Sequence, residues 1–81
     1  MANKVTFEIL HHEKCILTII NESDELSCTT QYRINVFDTD DNNWEHHATG
    51  SVTLEPNTSW SQEFHKWRAN NWKHEAINSC E

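Results

Sequence analysis

The stretch Thr29–Trp44, TTQYRINVFDTDDNNW, is the longest part of the chain with one clear pattern. Tyr32, Ile34 and Val36 alternate with polar residues, which is the period of a β-strand with one buried face. Phe37 then interrupts the alternation and makes both faces apolar at that end. The Asp, Thr and Asn residues at positions 38–43 favour a turn, because such side chains bond the neighbouring backbone. The stretch therefore predicts a central strand that ends in an acidic loop.

Shorter patterns on either side predict further strands. Residues 4–10 alternate between apolar and polar, and residues 15–20 are apolar on both faces, as in a strand that is buried twice. Residues 44–49 and 51–54 predict two short strands that Gly50 separates. Residues 60–64 alternate again. We expect residues 15–20 and 32–37 to be neighbouring central strands. Their shared apolar layer would contain Leu17, Ile19, Tyr32, Ile34 and Val36, together with Val5, Phe7 and Phe64.

The end of the chain allows two interpretations. Residues 65–77 fit a hairpin with a two-residue turn at Asn70 and Asn71, since Asn tolerates the left-handed backbone of such turns. This register would pair Phe64 with Ile77. A short helix over residues 61–70 is the alternative, because Phe64 and Trp67 also have helical spacing. The hairpin is the favoured prediction.

Six or seven short antiparallel strands with frequent turns predict a single all-β domain over residues 1–81, either a small sandwich or a barrel. Three segments carry a family likeness: Ile19–Ser23, Tyr32–Asp38 and Val52–Thr58. Their strand and turn chemistry resembles compact immunoglobulin-like β-sandwich domains of small bacterial and phage proteins. The chain lacks the Cys–Trp–Cys signature of true immunoglobulin domains. The resemblance implies the fold and a partner-binding use, and it carries over no active-site residue.

Acidic side chains dominate the charge, with 13 Asp and Glu against 6 Lys and Arg and a formal net charge of −7. This charge opposes direct contact with nucleic acid or anionic lipid and favours a basic partner. No stretch approaches the ~18 apolar residues of a membrane span, and no apolar leader follows Met1. A cytoplasmic location is therefore expected.

Three cysteines cannot all pair within one molecule. Together with the expected location, this favours reduced thiols, with one disulfide and one free thiol as the alternative. Cys15 is expected to be buried and inert. Cys80, close to the end of the chain, is expected to be exposed and the first to react.

The metal-binding patterns are weak. The histidine candidates are His11, His12, His46 and His47. Adjacent residues of a strand point to opposite faces, and no spacing matches a zinc site, so surface histidines are the preferred interpretation. Asp38, Asp40 and Asn42 match the start of a calcium loop, but Asn43 and Thr49 stand where Gly and Glu are required. No metal or other cofactor is expected. No nucleophile elbow is present either, so neither enzymatic activity nor a catalytic residue is predicted.

The leading hypothesis is a small acidic protein-binding domain, such as a phage- or plasmid-encoded inhibitor or immunity protein. It would occlude a basic surface of its target, for example one that otherwise binds nucleic acid. The predicted partner-binding residues are Glu22, Asp24, Glu25, Asp38, Asp40, Asp41, Trp44 and Glu45. Alternatives are a metal- or ligand-binding module that uses His and Cys, or a carbohydrate-binding sandwich that uses exposed Trp. The sequence leaves the oligomeric state open, a homodimer included.

Overall fold

The computed structural model describes residues 3–80 as six antiparallel strands, without a helix in that range. The strands are β1 (Lys4–His11), β2 (Lys14–Ile20), β3 (Cys28–Asp38), β4 (Asn43–Leu54), β5 (Ser59–His65) and β6 (Ala69–Cys80). They form two three-stranded sheets in the orders β1-β2-β5 and β4-β3-β6. The all-β prediction is confirmed, and the helical alternative for residues 61–70 is wrong. Nothing in residues 3–80 has the length and apolar character of a membrane-spanning helix.

The two central strands, β2 and β3, supply most of the core. Leu17 and Ile19 from β2 are fully buried, as are Ile34 and, almost completely, Val36 from β3. The predicted apolar layer is confirmed, with Val5 and Phe7 packed against it. Both strands are central, as predicted, but the prediction that they are neighbours is wrong, because each is the centre of its own sheet. The sheets thus share one hydrophobic core.

The predicted hairpin at the end of the chain is wrong. Phe64 of β5 lies opposite Cys15 of β2, whereas Ile77 of β6 lies opposite Gln31 of β3. The chain crosses between the sheets at residues 66–68, and Asn70 and Asn71 lie inside β6. The physical reason is that β2 and β3 are both buried, so the backbone N–H and C=O groups along both edges of each strand need a partner strand. Placing β5 beside β2 and β6 beside β3 covers both strands.

Residues 43–54 form one continuous strand rather than two. Gly50 lies inside β4 opposite Tyr32, and the register shifts where Ile34 and Asn35 face Ala48 and His46. His47 is therefore the extra residue of a bulge. Gly50 accommodates the Tyr32 ring, since a Cβ at position 50 would lie 2.5 Å from Tyr32 Oη and 2.6 Å from Tyr32 Cζ.

A disulfide joins Cys28 to Cys80, which face each other at the start of β3 and the end of β6. The prediction of three reduced thiols, with Cys80 the most reactive, is wrong for this structure, because β6 returns alongside β3. Cys15 is free and buried, as expected. Burial raises the pKa of the Cys15 thiol to about 11.

Candidate functional site

Three connections meet at one end of the two sheets, and we call residues 12–13, 39–42 and 66–68 the hairpin end. The pairing registers place residues 21–27 and 55–58 at the opposite end. The molecule measures 46 Å along its longest axis, so the two ends are well separated. The predicted acidic surface is therefore divided. Asp38, Asp40, Asp41, Trp44 and Glu45 lie at or beside the hairpin end, whereas Glu22, Asp24 and Glu25 lie at the far end.

The far end is held by a buried asparagine. Asn21 is fully buried, and its Nδ2 donates to the carbonyl oxygens of Leu26 at 2.8 Å and Leu54 at 3.1 Å. Asp24 Oδ1 accepts a hydrogen bond of 3.1 Å from Asn57 Nδ2. Glu22 and Glu25 are exposed. Asp24 and Glu25 line a shallow cleft of about 310 Å³ together with Ser23 and Leu26.

Hydrogen bonds between the loops make the hairpin end one rigid unit. The Glu13 backbone oxygen accepts from Lys66 N at 3.0 Å, and Glu13 Oε2 accepts from Arg68 N at 2.5 Å. Thr39 Oγ1 donates to the Arg68 carbonyl oxygen at 2.9 Å. Arg68 adopts a left-handed backbone with φ of 66°, which turns the chain from β5 into β6. Each loop is thus fixed by a neighbouring loop.

Trp67 is the most exposed large apolar side chain of residues 3–80, with 72 % of its surface accessible. The Arg68 guanidinium lies over its ring, with Cζ 4.3 Å from the ring centroid. Arg68 Nη1 in turn pairs with Asp40 Oδ1 at 2.8 Å. An exposed aromatic ring with polar surroundings is typical of an interaction anchor. The sequence analysis names Trp44 as a partner-binding residue and does not identify Trp67. The charged neighbours Lys66 and Arg68 were the available signal.

The other three tryptophans are engaged in packing. Trp72 is 4 % exposed, and its Nε1 donates to the His12 carbonyl oxygen at 2.9 Å. Trp60 packs against Tyr32 in the core. Trp44 contacts Phe37 edge to face and carries Lys73 Nζ 4.3 Å from its ring centroid. Trp44 is therefore only partly available to a partner.

Asp38, Asp41 and Glu45 form a carboxyl cluster whose oxygens lie within 4.8 Å of one another. Asp38 Oδ1 accepts the backbone N–H of Asp40 at 2.8 Å, which lowers the pKa of Asp38. A side-chain hydrogen bond with Asp38, followed by burial, raises the pKa of Glu45. The opposite shifts of the two pKa values mean that a proton shared by this pair favours Glu45 over Asp38. Lys66 Nζ lies 3.7 Å from Asp38 Oδ2. Oxygen donors of this kind suit Ca²⁺ or Mg²⁺, but the ion pair with Lys66 already offsets part of the negative charge.

The histidines do not converge. His11 and His12 lie at the β1–β2 hairpin, and His46 is exposed on β4. His47, on the bulge, lies edge-on to Trp72 with ring centroids 5.2 Å apart. Its pKa is lowered, mainly by burial and then by the charge of Lys66. No histidine of residues 3–80 belongs to a group of three possible metal ligands.

The hairpin end offers an exposed ring, one exposed ion pair and carboxylates on a rigid frame, which suits recognition of a surface. No protein-family model, no curated protein and no solved structure matches this chain.

Proposed function

We propose that this protein is a small partner-binding domain that occludes a basic surface of another protein with its hairpin end. The exposure of Trp67 carries the proposal, because 72 % of a tryptophan is left accessible on a loop that hydrogen bonds hold in place. Asp40 and Asp41 are exposed beside it. Preorganised loops reduce the entropy lost on binding. Carboxylates around an aromatic anchor favour a partner rich in Lys and Arg.

The strand order supports an immunoglobulin-like sandwich as the proposed fold family. In immunoglobulin domains, strands A, B and E are neighbours in one sheet, and C′, C and F are neighbours in the other. The orders β1-β2-β5 and β4-β3-β6 correspond to these two sets, taken in chain order. The shared core between the sheets is consistent with this assignment. The disulfide differs from that of immunoglobulin domains, which joins the two sheets. Here it joins the neighbouring strands β3 and β6 within one sheet.

Inhibitors and immunity proteins encoded by phages or plasmids are the proposed biological class. They act by covering a surface, which requires no catalytic residue or cofactor. The proposed cytoplasmic location conflicts with a persistent disulfide, which is typical of oxidising compartments. Thiol labelling distinguishes the two possibilities. Cys28 is buried, so cells are quenched in acid and the thiols are labelled after denaturation. Labelled Cys28 and Cys80 would support the cytoplasm, and a disulfide that resists labelling would support an oxidising compartment.

A matched pair of crosslinking positions tests the binding site. Trp67 and Ile77 are almost equally exposed, at 72 % and 71 %, but only Trp67 lies at the hairpin end. A photoreactive residue at position 67 should capture a partner that the same residue at position 77 does not. With that partner purified, Trp67→Ala should weaken binding by roughly tenfold or more, and Ile77→Ala should leave it unchanged. Equal capture at both positions, or an acidic partner, would contradict the proposal.

Carbohydrate recognition is the second candidate. A cleft of about 300 Å³ lies at the hairpin end beside Arg68, the residue that follows Trp67. Its lining is His11, His12, Glu13, Thr39, Arg68, Ala69 and Asn70. An exposed ring beside polar groups is suited to stacking on a sugar. A glycan array separates the candidates: binding that Trp67→Ala abolishes would favour the sugar.

A further inference from the structure

Strand β6 forms an open edge of the β4-β3-β6 sheet. It has twelve residues, Ala69–Cys80, and β3 is its only neighbouring strand among residues 3–80. The edge strand of the other sheet, β1, lies on the same flank, because Phe7 stacks on His74 with ring centroids 4.6 Å apart. An uncovered edge presents unpaired backbone N–H and C=O groups, to which another strand can bond.

The pairing of β6 with β3 fixes which backbone groups of β6 face outward. Cys28 and Cys80 lie opposite each other with Cα atoms 4.1 Å apart, the short spacing of a non-hydrogen-bonded pair. The register continues without a shift to Phe37 and Asn71, so every second residue pair along the two strands is also a non-hydrogen-bonded pair. The N–H and C=O groups of Trp72, His74 and Ala76 therefore point away from β3. These groups are the ones a second strand would bond.

Charge on the outer face favours one register for a second copy. The outer face is the side of the β4-β3-β6 sheet that points away from the other sheet. Lys73 and Glu75 both lie on it: Lys73 Nζ is above the Trp44 ring, and Glu75 is opposite Arg33. If two β6 strands pair antiparallel about a twofold axis at His74, each Lys73 lies opposite Glu75 of the other copy. An axis at residue 73 or 75 would place identical charges opposite each other, and an axis at residue 76 would place Glu75 opposite Ile77.

We propose that β6 pairs antiparallel with β6 of a second copy about a twofold axis at His74. The result is a continuous six-stranded sheet with the order β4-β3-β6-β6-β3-β4. Trp72 of each copy forms a hydrogen-bonded pair with Ala76 of the other, in the alternation of an antiparallel ladder. Ile9 of β1, which is 45 % exposed on the same flank, adds apolar area to the contact. The interface is isologous and closes after two copies.

Charge reversals test the register by sedimentation equilibrium of the full chain over a range of concentrations. Lys73→Glu or Glu75→Lys should weaken self-association roughly tenfold, because like charges then face each other twice. The double variant Lys73→Glu/Glu75→Lys should restore it. Glu22→Lys, which changes the net charge as Glu75→Lys does but lies at the far end, should have little effect. A wild-type chain that stays monomeric, or a double variant that is not restored, would overturn the proposal.

A proline tests the backbone pairing independently of charge. The N–H of Ala76 faces the open edge, and proline is tolerated in an edge strand where the N–H faces solvent. Ala76→Pro should keep the thermal unfolding transition of the monomer and abolish self-association. Unchanged association of a folded Ala76→Pro variant would overturn the proposal. If the wild-type chain is monomeric and the β6 variants lose binding to the partner of the hairpin end, the β6 edge binds that partner and not a second copy.

Discussion

At the scale of single residues, Gly50 is required by the ring that covers it. A Cβ at this position would overlap Tyr32, whose side chain is part of the core. Gly50→Ala should therefore destabilise the protein by about 1–3 kcal/mol, the usual cost of overpacking. Urea unfolding measures the change, and Ser51→Ala on the exposed neighbour provides the control. An alanine variant as stable as the wild type would show that the ring does not occupy this position.

Glu45 gives a prediction with a defined dependence on pH. Its pKa is raised in the folded state. Its stabilising contribution is therefore present below the ordinary Glu pKa and is lost as the pH rises through the raised folded value. Glu45→Gln keeps a hydrogen-bond donor for Asp38 at every pH and does not suffer this loss.

The melting temperature of Glu45→Gln, relative to the wild type, should therefore rise as the pH increases from about 4 to 7. Glu22→Gln, exposed at the far end, is the control and should follow the wild type. A constant difference between Glu45→Gln and the wild type across this range would mean that Glu45 does not carry the shared proton.

At the scale of elements, the second half of β6 depends on the disulfide to stay paired with β3. Trp72 anchors the start of the strand in the core, whereas Lys73–Ser79 buries little. The disulfide closes a separation of 52 residues, and loops of this size correspond to stabilisation of about 2–4 kcal/mol. Reduction should therefore accelerate amide exchange in residues 73–79 more than in residues 69–72.

Hydrogen–deuterium exchange with and without a reductant measures this difference. The Cys28→Ala/Cys80→Ala variant should exchange like the reduced protein and should not respond to the reductant. Equal protection of residues 73–79 in both redox states would show that the ladder to β3 holds β6 without the disulfide.

The sequence predicts strands better than it predicts which strands pair. The alternation of Tyr32, Ile34 and Val36 is a local property, and it identifies β3 and its buried face correctly. The partner of β5 is a non-local property. Phe64 forms an apolar pair opposite Ile77, as predicted, and equally opposite Cys15, as in the structure. The local pattern does not choose between the two pairings.

The candidate site was only partly predictable for the same reason. The acidic residues were predicted from their charge, but their division between two ends follows from the path of the strands. The bulge at His47 depends on the packing of Trp72 and Phe64 around that ring. The charged neighbours of Trp67 favour exposure, but its place at the hairpin end follows only from the connection between β5 and β6, which crosses between the sheets.

At the scale of the whole molecule, the net charge of −7 is distributed over both ends. General attraction of a basic partner would depend on the total charge, whereas recognition at the hairpin end would depend on where on the molecule the charges lie. Two double variants separate these effects, because each adds the same charge. Asp40→Lys/Asp41→Lys changes the hairpin end, and Glu22→Lys/Glu25→Lys changes the far end; all four residues are exposed.

If the hairpin end is the binding site, Asp40→Lys/Asp41→Lys should lower the association rate with the basic partner roughly tenfold at low salt. The far-end variant should lower the rate much less, since its charges lie most of the 46 Å length away and beyond the Debye length of ~10 Å at 0.1 M salt. Stopped-flow mixing at several salt concentrations measures both rates. Equal reductions for the two variants would show that net charge alone attracts the partner, and the assignment of the hairpin end would then be wrong.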